Sequence, residues 1–317
     1  MMKPINVNSI DSLARYNIKK ISIAIGIFDG VHKGHLHLLN RLKEIAKKTN
    51  STPVVLSFYP HPKEFFKKSN ASSQLISQEK KIELLHQAGV EAVVTLPFTK
   101  NFSLQQPKEF IDNILLSSQM QIKGICVGRN WRFGYKGQGD ISILKHFAEK
   151  GHFIFSAVDE INCGERIVSS TTIRHNLAIG LLDSANEMLT RSYTLRGEVI
   201  EGLNIATKKL ECPTANLKIN LGIIPPNGVY AGTAKIAGTE IKHNAVIAIG
   251  DAPTFKHFKD LKNKFEVHIF GLTENLYGKE IEVEMIKYVR EERFYSSGEK
   301  LKAQIQKDII EVKKILN

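Results

Sequence analysis

Only three cysteines occur in the 317 residues, Cys126, Cys163 and Cys212, and no two lie close together. An odd, scattered set without a Cys-x-x-Cys pair excludes a disulfide framework and the common zinc-ligand spacings. Core-filling thiols in a reducing compartment are the simplest reading. No apolar run approaches the roughly 18 residues that cross a bilayer. The first twenty residues, MMKPINVNSIDSLARYNIKK, lack the apolar stretch of a secretory leader, so a cytoplasmic location without membrane contact is expected. Basic residues exceed acidic ones by 44 to 32, a net charge of +12, yet no block of five or six appears. The lysines come as separated doublets such as Lys47-Lys48, Lys80-Lys81 and Lys208-Lys209, which read as solvated surface. With dispersed lysines, a single tryptophan and no nucleic-acid-binding motif, nucleic acid is not an expected partner. The glycine spacings of the common dinucleotide and P-loop motifs are also missing from the first strand-turn-helix.

What is present is ordinary folded-protein composition, 42% hydrophobic and 24% charged. At about 150 residues per domain, the length suggests two domains. In the first half, ISIAIGIF, PVVLSF, EAVVTLPF, KGICVG and HFIFSAV are continuous apolar runs of strand length. Such runs indicate strands buried on both faces. Helical spacing separates them, as at Leu38, Leu39, Leu42, Ile45 and Ala46, and in PKEFIDNILLSS with Pro107 at its start. The alternation predicts an α/β, doubly wound parallel sheet. Near Tyr193 the texture changes to short strands with turn residues, including Pro225-Pro226-Asn227-Gly228 and a cleanly alternating Glu280–Tyr288. Leu301, Ile305, Ile309, Val312 and Leu316 form the stripe of a terminal amphipathic helix. An antiparallel β-barrel capped by that helix is expected, with domains at 1–184 and 185–317.

The first strand runs into Gly26-Ile27-Phe28-Asp29-Gly30-Val31-His32-Lys33-Gly34-His35, and a helix follows at once. A glycine-rich turn feeding a helix start is a phosphate site, because backbone N–H groups and the helix dipole point outward. Two imidazoles there add hydrogen-bond donors for a leaving pyrophosphate. GxFDGxHxGH resembles the HxGH signature of the nucleotidyltransferase superfamily. Together with Ser57-Phe58-Tyr59-Pro60-His61-Pro62, VGRNWRFGYKGQGD and Ser169-Ser170-Thr171-Thr172-Ile173-Arg174, it resembles the adenylyltransferase half of bifunctional riboflavin kinase/FAD synthetases. The resemblance implies a Rossmann-like domain. In it, His32, His35 and Arg174 would be catalytic. Gly26, Phe28, Asp29, Gly30, Gly34, Ser169, Ser170, Thr171 and Thr172 would bind ATP phosphates. Asn130, Trp131 and Phe133 would lie on the flavin side.

Further along, Pro213-Thr214-Ala215-Asn216, Asn227-Gly228-Val229-Tyr230, Gly250-Asp251-Ala252-Pro253-Thr254-Phe255, Glu266-Val267-His268 and Tyr288-Val289-Arg290 follow in order. This series resembles the riboflavin kinase domain, a six-stranded barrel, and accounts for residues 185–317. Thr hydroxyl and Asn carbonyl are hard oxygen donors suited to Mg²⁺. The resemblance implies Thr214 and Asn216 as metal ligands and Glu266 as catalytic base. It places Lys208 and Lys209 near ATP phosphates and Tyr277, Arg290 and Phe294 on the flavin side. Taken whole, it implies that riboflavin and ATP give FMN, and FMN and ATP then give FAD, with Mg²⁺. The chain departs from the family pattern at Ile27 (usually Asn), Tyr59 and Asn130 (Asp), Trp131 (Phe), Gly137 (Arg), Glu211 (Gly) and Gly271 (Asp). Ile27, Tyr59 and Asn130 motivate an alternative: a riboflavin kinase whose N-terminal domain binds nucleotide or flavin as a regulator. Small molecules are the expected partners under both readings, and the sequence leaves the oligomeric state open.

Overall fold

The computed structural model describes residues 4–66, 74–201, 213–250, 264–272 and 274–317. The chain divides into two compact units, Met1–Ser170 and Thr171–Asn317.

The first unit is built on six strands: β1 (Ile5–Val7), β2 (Lys20–Ile25), β3 (Thr52–Tyr59), β4 (Ala92–Pro97), β5 (Gln121–Gly128) and β6 (Ile154–Val158). They form one wholly parallel sheet in the order β1-β4-β3-β2-β5-β6. Four of the five apolar runs are inner strands with buried centres, whereas HFIFSAV, expected to be buried on both faces, is the part-exposed edge strand β6, which has a neighbour on one side only. Ile21, Ile23, Ala24 and Ile25 of β2 are nearly inaccessible, as are Val54, Val55 and Leu56 of β3. The edge strand β1, only three residues long, was not apparent in the sequence pattern. Helices α1 (Lys33–Lys48), α2 (Pro62–Phe66), α3 (Gln78–Gln87), α4 (Lys100–Ser103), α5 (Pro107–Phe110) and α6 (Ile141–Glu149) connect the strands. Pro107 starts one α-helical turn, and the chain continues through Leu116 as a wider π-helix. On α1, Leu38, Leu39, Leu42, Ile45 and Ala46 are the buried face, so the 3.6-residue spacing located the core side correctly. A two-stranded hairpin, β7 (Asn162–Cys163) and β8 (Arg166–Ile167), follows the sheet.

The topology locates a crevice. From β2 the chain steps outward through β3 to β4, then returns to the other side of β2 for β5 and β6. Strand order reverses beside β2, and in open α/β sheets such a reversal opens a cleft at the carboxyl ends of the flanking strands. Cys126 lies buried in β5, its thiol pushed up to about 12 by burial, so it behaves as an unreactive core filler. Cys163 is half-buried in β7, and Cys212 lies outside the described residues.

The second unit takes up α7 (Ser170–Ala178) after its first residue, then α8 (Leu182–Leu189). Six strands follow: β9 (Tyr193–Ile200), β10 (Ala215–Leu221), β11 (Gly228–Ile236), β12 (Lys242–Gly250), β13 (Lys264–Ile269) and β14 (Glu280–Arg290). They close into an antiparallel barrel in the order β10-β13-β12-β11-β14-β9. Alternation sorts the side chains: Tyr193, Leu195 and Val199, Phe265, Val267 and Ile269, and Ile281, Val283 and Met285 all fill the interior. Asn186 of α8 ties that helix to the barrel, accepting the Tyr193 N–H at 2.7 Å and donating to the Met285 carbonyl at 3.0 Å. The chain ends in α9 (Gly298–Leu316), capped by the Ser297 hydroxyl and packed on β11, β12 and β14. Its deepest residues are Val312 and, against the apolar pattern, Asp308. Asp308 accepts two bonds from Arg290, from Nε at 2.8 Å and Nη2 at 2.6 Å, and a third from Gln304. Among the described residues, no helix is long and apolar enough to cross a membrane.

Barrel closure depends on a close backbone approach at Gly232 of β11. A Cβ there would stand 2.1 Å from the Glu284 carbonyl oxygen and 2.6 Å from the Ile247 methyl. Gly232→Ala should therefore destabilise the barrel by about 3 kcal/mol or more. Calorimetry would show this as a lowered unfolding transition of the second unit, with the first unit's transition unmoved.

Candidate functional site

At the carboxyl end of β2 the chain makes the turn Gly26–His32 before entering α1. Phe28 (φ 55°), Gly30 (φ 84°) and Val31 (φ 41°) all adopt left-handed backbone. For Phe and the β-branched Val this conformation is unfavourable and persists only where surroundings impose it. Tethers from neighbouring elements impose it here. Ser57 Oγ, on the neighbouring strand, donates to the Ile27 carbonyl at 3.2 Å. The buried Asp29 carboxylate accepts the Leu75 N–H at 2.9 Å. Ser170 Oγ donates to the Asp29 carbonyl at 2.8 Å.

The turn delivers two histidines in a reciprocal cap. His32 is the N-cap of α1, and its Nδ1 accepts the His35 N–H at 3.3 Å. His35 Nδ1 in turn accepts the His32 N–H at 3.3 Å. The rings stack with centroids 3.6 Å apart and planes 16° off parallel. Because each Nδ1 is an acceptor, the ring proton of each imidazole resides on Nε2. Gly34 makes the stack possible: a Cβ there would meet the His32 ring at 3.2 Å. The first turn of α1 carries no acidic residue, so the helix's own first turn does not offset the positive end of its dipole.

A cavity of about 280 Å³ opens at this point. Its walls are the end of β2 with Gly26 and Phe28, the start of α1 with His32, Gly34 and His35, the ends of β5 and β6, and Val168-Ser169. From β5 come Gly128, Arg129, Asn130 and Trp131; from β6 come Val158, Asp159, Glu160 and Ile161. Arg129 and Asp159 form an ion pair between these two strand ends. Trp131 stacks on Phe133 at 4.5 Å, and Phe133 is buried in the core beneath it. Asp29, Gly30 and Phe133 are not among the residues that line the cavity, whereas Asn130 and Trp131 line it together with the histidines. Ser170 begins α7, which carries Thr171, Thr172 and, one turn along, Arg174.

On the barrel, register does the equivalent positioning. Asn216 of β10 is the direct antiparallel partner of Glu266 of β13. Leu217 on one side of Asn216, and Phe265 and Val267 flanking Glu266, point inward. The carboxamide and the carboxylate therefore share the outer face, with Cβ atoms on the order of 5 Å apart. Two residues beyond Glu266, on the same face, His268 Nδ1 donates to the Pro213 carbonyl at 2.8 Å, tying the start of Pro213-Thr214-Ala215-Asn216 to β13. Sequence spacing had not singled out this histidine. All three Arg290 guanidinium nitrogens donate to protein acceptors, Asp308 and the Glu291 carbonyl. The bonds to Asp308 hold Arg290 above its usual pKa. Tyr277 and Phe294 are exposed. Lys208, Lys209 and Glu211 lie outside the described residues.

Comparison with known proteins meets this geometry in both units. The FAD synthetase family model matches residues 15–172, and the riboflavin kinase family model matches 189–316. A bifunctional riboflavin kinase/FMN adenylyltransferase of Buchnera aphidicola subsp. Schizaphis graminum is 37% identical over 308 residues, covering 95% of this chain and 97% of that protein. One from Bacillus subtilis is 31% identical over 309 residues, covering 97% of this chain and 96% of that protein. The chain belongs to the bifunctional riboflavin kinase/FMN adenylyltransferase family. A solved structure described as a macrolide-efflux protein from Streptococcus pneumoniae shares the fold, with a TM-score of 0.82 over 98% of this chain and 99% of that one; at 23% identity the likeness concerns fold alone.

One further residue bears on this family's adenylyltransferase half. The Lys80-Lys81 doublet, read from sequence as solvated surface, is split by α3: Lys81 is only 7% exposed. Its Nζ lies 3.3 Å from the Ile27 carbonyl and 3.4 Å from Ser57 Oγ. Burial lowers its pKa from 10.5 to about 8, partly opposed by the Asp29 carboxylate. Helical spacing could have found it, since Lys81 precedes Leu85 by four residues on the inward face. In the fold Lys81 releases its proton near pH 8, and in the unfolded chain near 10.5. Between these values the unfolded chain binds the extra proton, so stability rises with pH; below about 8 both states hold it and the burial penalty is complete. The wild type should therefore gain roughly 3 kcal/mol relative to Lys81→Met between pH 7 and pH 10.5. Urea unfolding followed by the fluorescence of Trp131, the sole tryptophan, measures this. A pH-independent difference would show that Lys81 is not buried as a cation.

Proposed function

We infer that the chain phosphorylates riboflavin with ATP to give FMN and ADP, then transfers the adenylyl group of a second ATP to FMN, giving FAD and pyrophosphate. The adenylyl step is assigned to residues 1–184 and the kinase step to 185–317. The observation that carries the reading is the pair of Nε2–H imidazoles at the start of α1, lining a cavity at the strand-order reversal.

In adenylyl transfer, an FMN phosphate oxygen attacks the α-phosphorus of ATP, and the bond to the β-phosphate oxygen breaks. Charge builds on the leaving pyrophosphate. Donors already fixed by the fold stabilise such charge without reorganising. His32 and His35 supply Nε2–H groups. The α1 N-terminus and the Ser169-Ser170 turn supply further dipoles and hydroxyls. Arg174 contributes a bidentate guanidinium. Asn130 and Trp131 offer a polar edge and a flat ring toward the flavin side.

In the kinase step, the ribityl hydroxyl attacks the γ-phosphorus of ATP and its proton passes to Glu266, with ADP as leaving group. Asn216 lies opposite Glu266 in the register, and with Thr214, two residues earlier, it is assigned as a pair of neutral hard oxygen donors suited to Mg²⁺. Mg²⁺ held there would neutralise the transferred phosphoryl group. His268 ties the Pro213 carbonyl, one residue before Thr214, to β13, the strand that carries Glu266. Tyr277 and Phe294 are assigned to the flavin, and Arg290 to holding that end of the barrel against α9. Lys208 and Lys209 complete the assignment to ATP phosphates.

Pure protein incubated with riboflavin, ATP and Mg²⁺ should yield FMN and FAD on chromatography. FMN without FAD would assign the N-terminal unit to binding alone, and neither flavin would refute the reading. Glu266→Ala should abolish FMN formation yet retain FAD formation from supplied FMN. His32→Ala or Arg174→Ala should do the converse, lowering FAD formation by about 100-fold or more. Equal loss of both activities in either variant would contradict separate sites.

A further inference from the structure

We propose that Lys81 is a positioning residue for adenylyl transfer, fixing the Ile27 carbonyl and with it the pitch of the Gly26–His32 turn that presents the two imidazoles. The proposal rests on the assignment of that turn to adenylyl transfer.

Lys81 does not line the cavity, so its action is indirect. Its ammonium lies behind the turn, reaching Ile27 O from α3 while Ser57 Oγ reaches the same oxygen from β3. The Asp29 carboxylate, the charged partner on the turn itself, is close enough to influence the lysine electrostatically. Asp29 is also the residue tethered to Leu75 and to Ser170. The cation therefore joins α3, β3 and the turn at the point where the backbone enters its left-handed stretch at Phe28.

A serine hydroxyl alone would satisfy the Ile27 carbonyl, so the buried charge is not needed to prevent an orphaned acceptor. Burying an ammonium is also unfavourable to folding. A group that costs stability, is not required for hydrogen-bond satisfaction, and grips the residue immediately before a strained Phe is placed for geometry. The geometry concerned is that of Nε2 in His32 and His35. Their exchange of backbone N–H bonds begins only four residues after Phe28, so a tilt of the turn is passed on to both rings.

The test compares full-length wild type, Lys81→Met and His32→Ala. Methionine keeps the unbranched stem and removes the ammonium. FAD formation from supplied FMN and ATP is measured with FMN formation from riboflavin in the same preparation, alongside thermal unfolding. In Lys81→Met, kcat for FAD formation should fall on the order of 10- to 100-fold. The KM for ATP should change by less than about threefold. FMN formation should stay at the wild-type rate, and the unfolding temperature should hold or rise. An unaltered kcat overturns the proposal, as does a higher KM with kcat intact. A fall in kcat accompanied by a lower unfolding temperature also overturns it, since that is the pattern of a packing residue. His32→Ala separates the two levels of inference. If it loses FAD formation while Lys81→Met retains it, only the role of Lys81 fails; if it retains FAD formation, the assignment of the turn fails and the proposal with it.

Discussion

The exchange of backbone N–H bonds between His32 and His35 is the interaction on which the N-terminal cavity depends. It settles three properties together. It caps α1, which would otherwise begin with unsatisfied donors. It locks both rings into one stack. It also consigns the proton of each imidazole to Nε2, because a protonated Nδ1 cannot accept. The exchange demands a residue without Cβ at Gly34 and an extended His32 at the helix entrance. An extended entry from a strand that has just ended leaves little room for reversal, and the left-handed residues Phe28, Gly30 and Val31 absorb the turn.

The barrel reaches a comparable result through register. Cross-strand pairing places Asn216 opposite Glu266, and the alternation of Phe265, Val267 and Ile269 commits Glu266 and His268 to the outer face. A shift of one residue would send the carboxylate inward and the apolar side chains out. The hydrophobic interior therefore aims a polar group that it does not contact. In both units the orientation of these polar groups is decided by backbone hydrogen bonding, and side-chain contacts refine it.

Much of this was legible in the sequence. Unbroken apolar runs identified the parallel strands, alternation in Glu280–Tyr288 identified a barrel strand, and the spacing on α1 selected its buried face. The GIFDGVHKGH turn was legible as a strand-to-helix turn because glycines and a helix start carry their own geometry. The distinction between Asn130, at the cavity wall, and Phe133, beneath it, was not legible, since three residues in a loop have no period from which to read direction. Nor was the short β1, whose three residues exert too little patterning to register. Arg290 could be placed near the end of β14, but its engagement with Asp308 spans 18 residues and two elements.

Lys81 and Asp308 were missed for one physical reason: charged residues are counted with the solvent in any reading by hydropathy. Both interrupt an otherwise apolar face, and both bond across elements. An amphipathic stripe such as that of α9 is compatible with sliding along the helix axis, because one aliphatic contact resembles the next. A carboxylate meeting a guanidinium through two oxygens is compatible with a single position. Burying the pair carries a desolvation cost that need not return as stability. Its effect is to make one register of the terminal helix distinguishable from its neighbours. Lys81 does the same for a turn, where neither ladder nor helix hydrogen bonds can select a conformation. In a chain with a net charge of +12, Asp29, Lys81 and Asp308 are buried groups through which charge acts on structure directly.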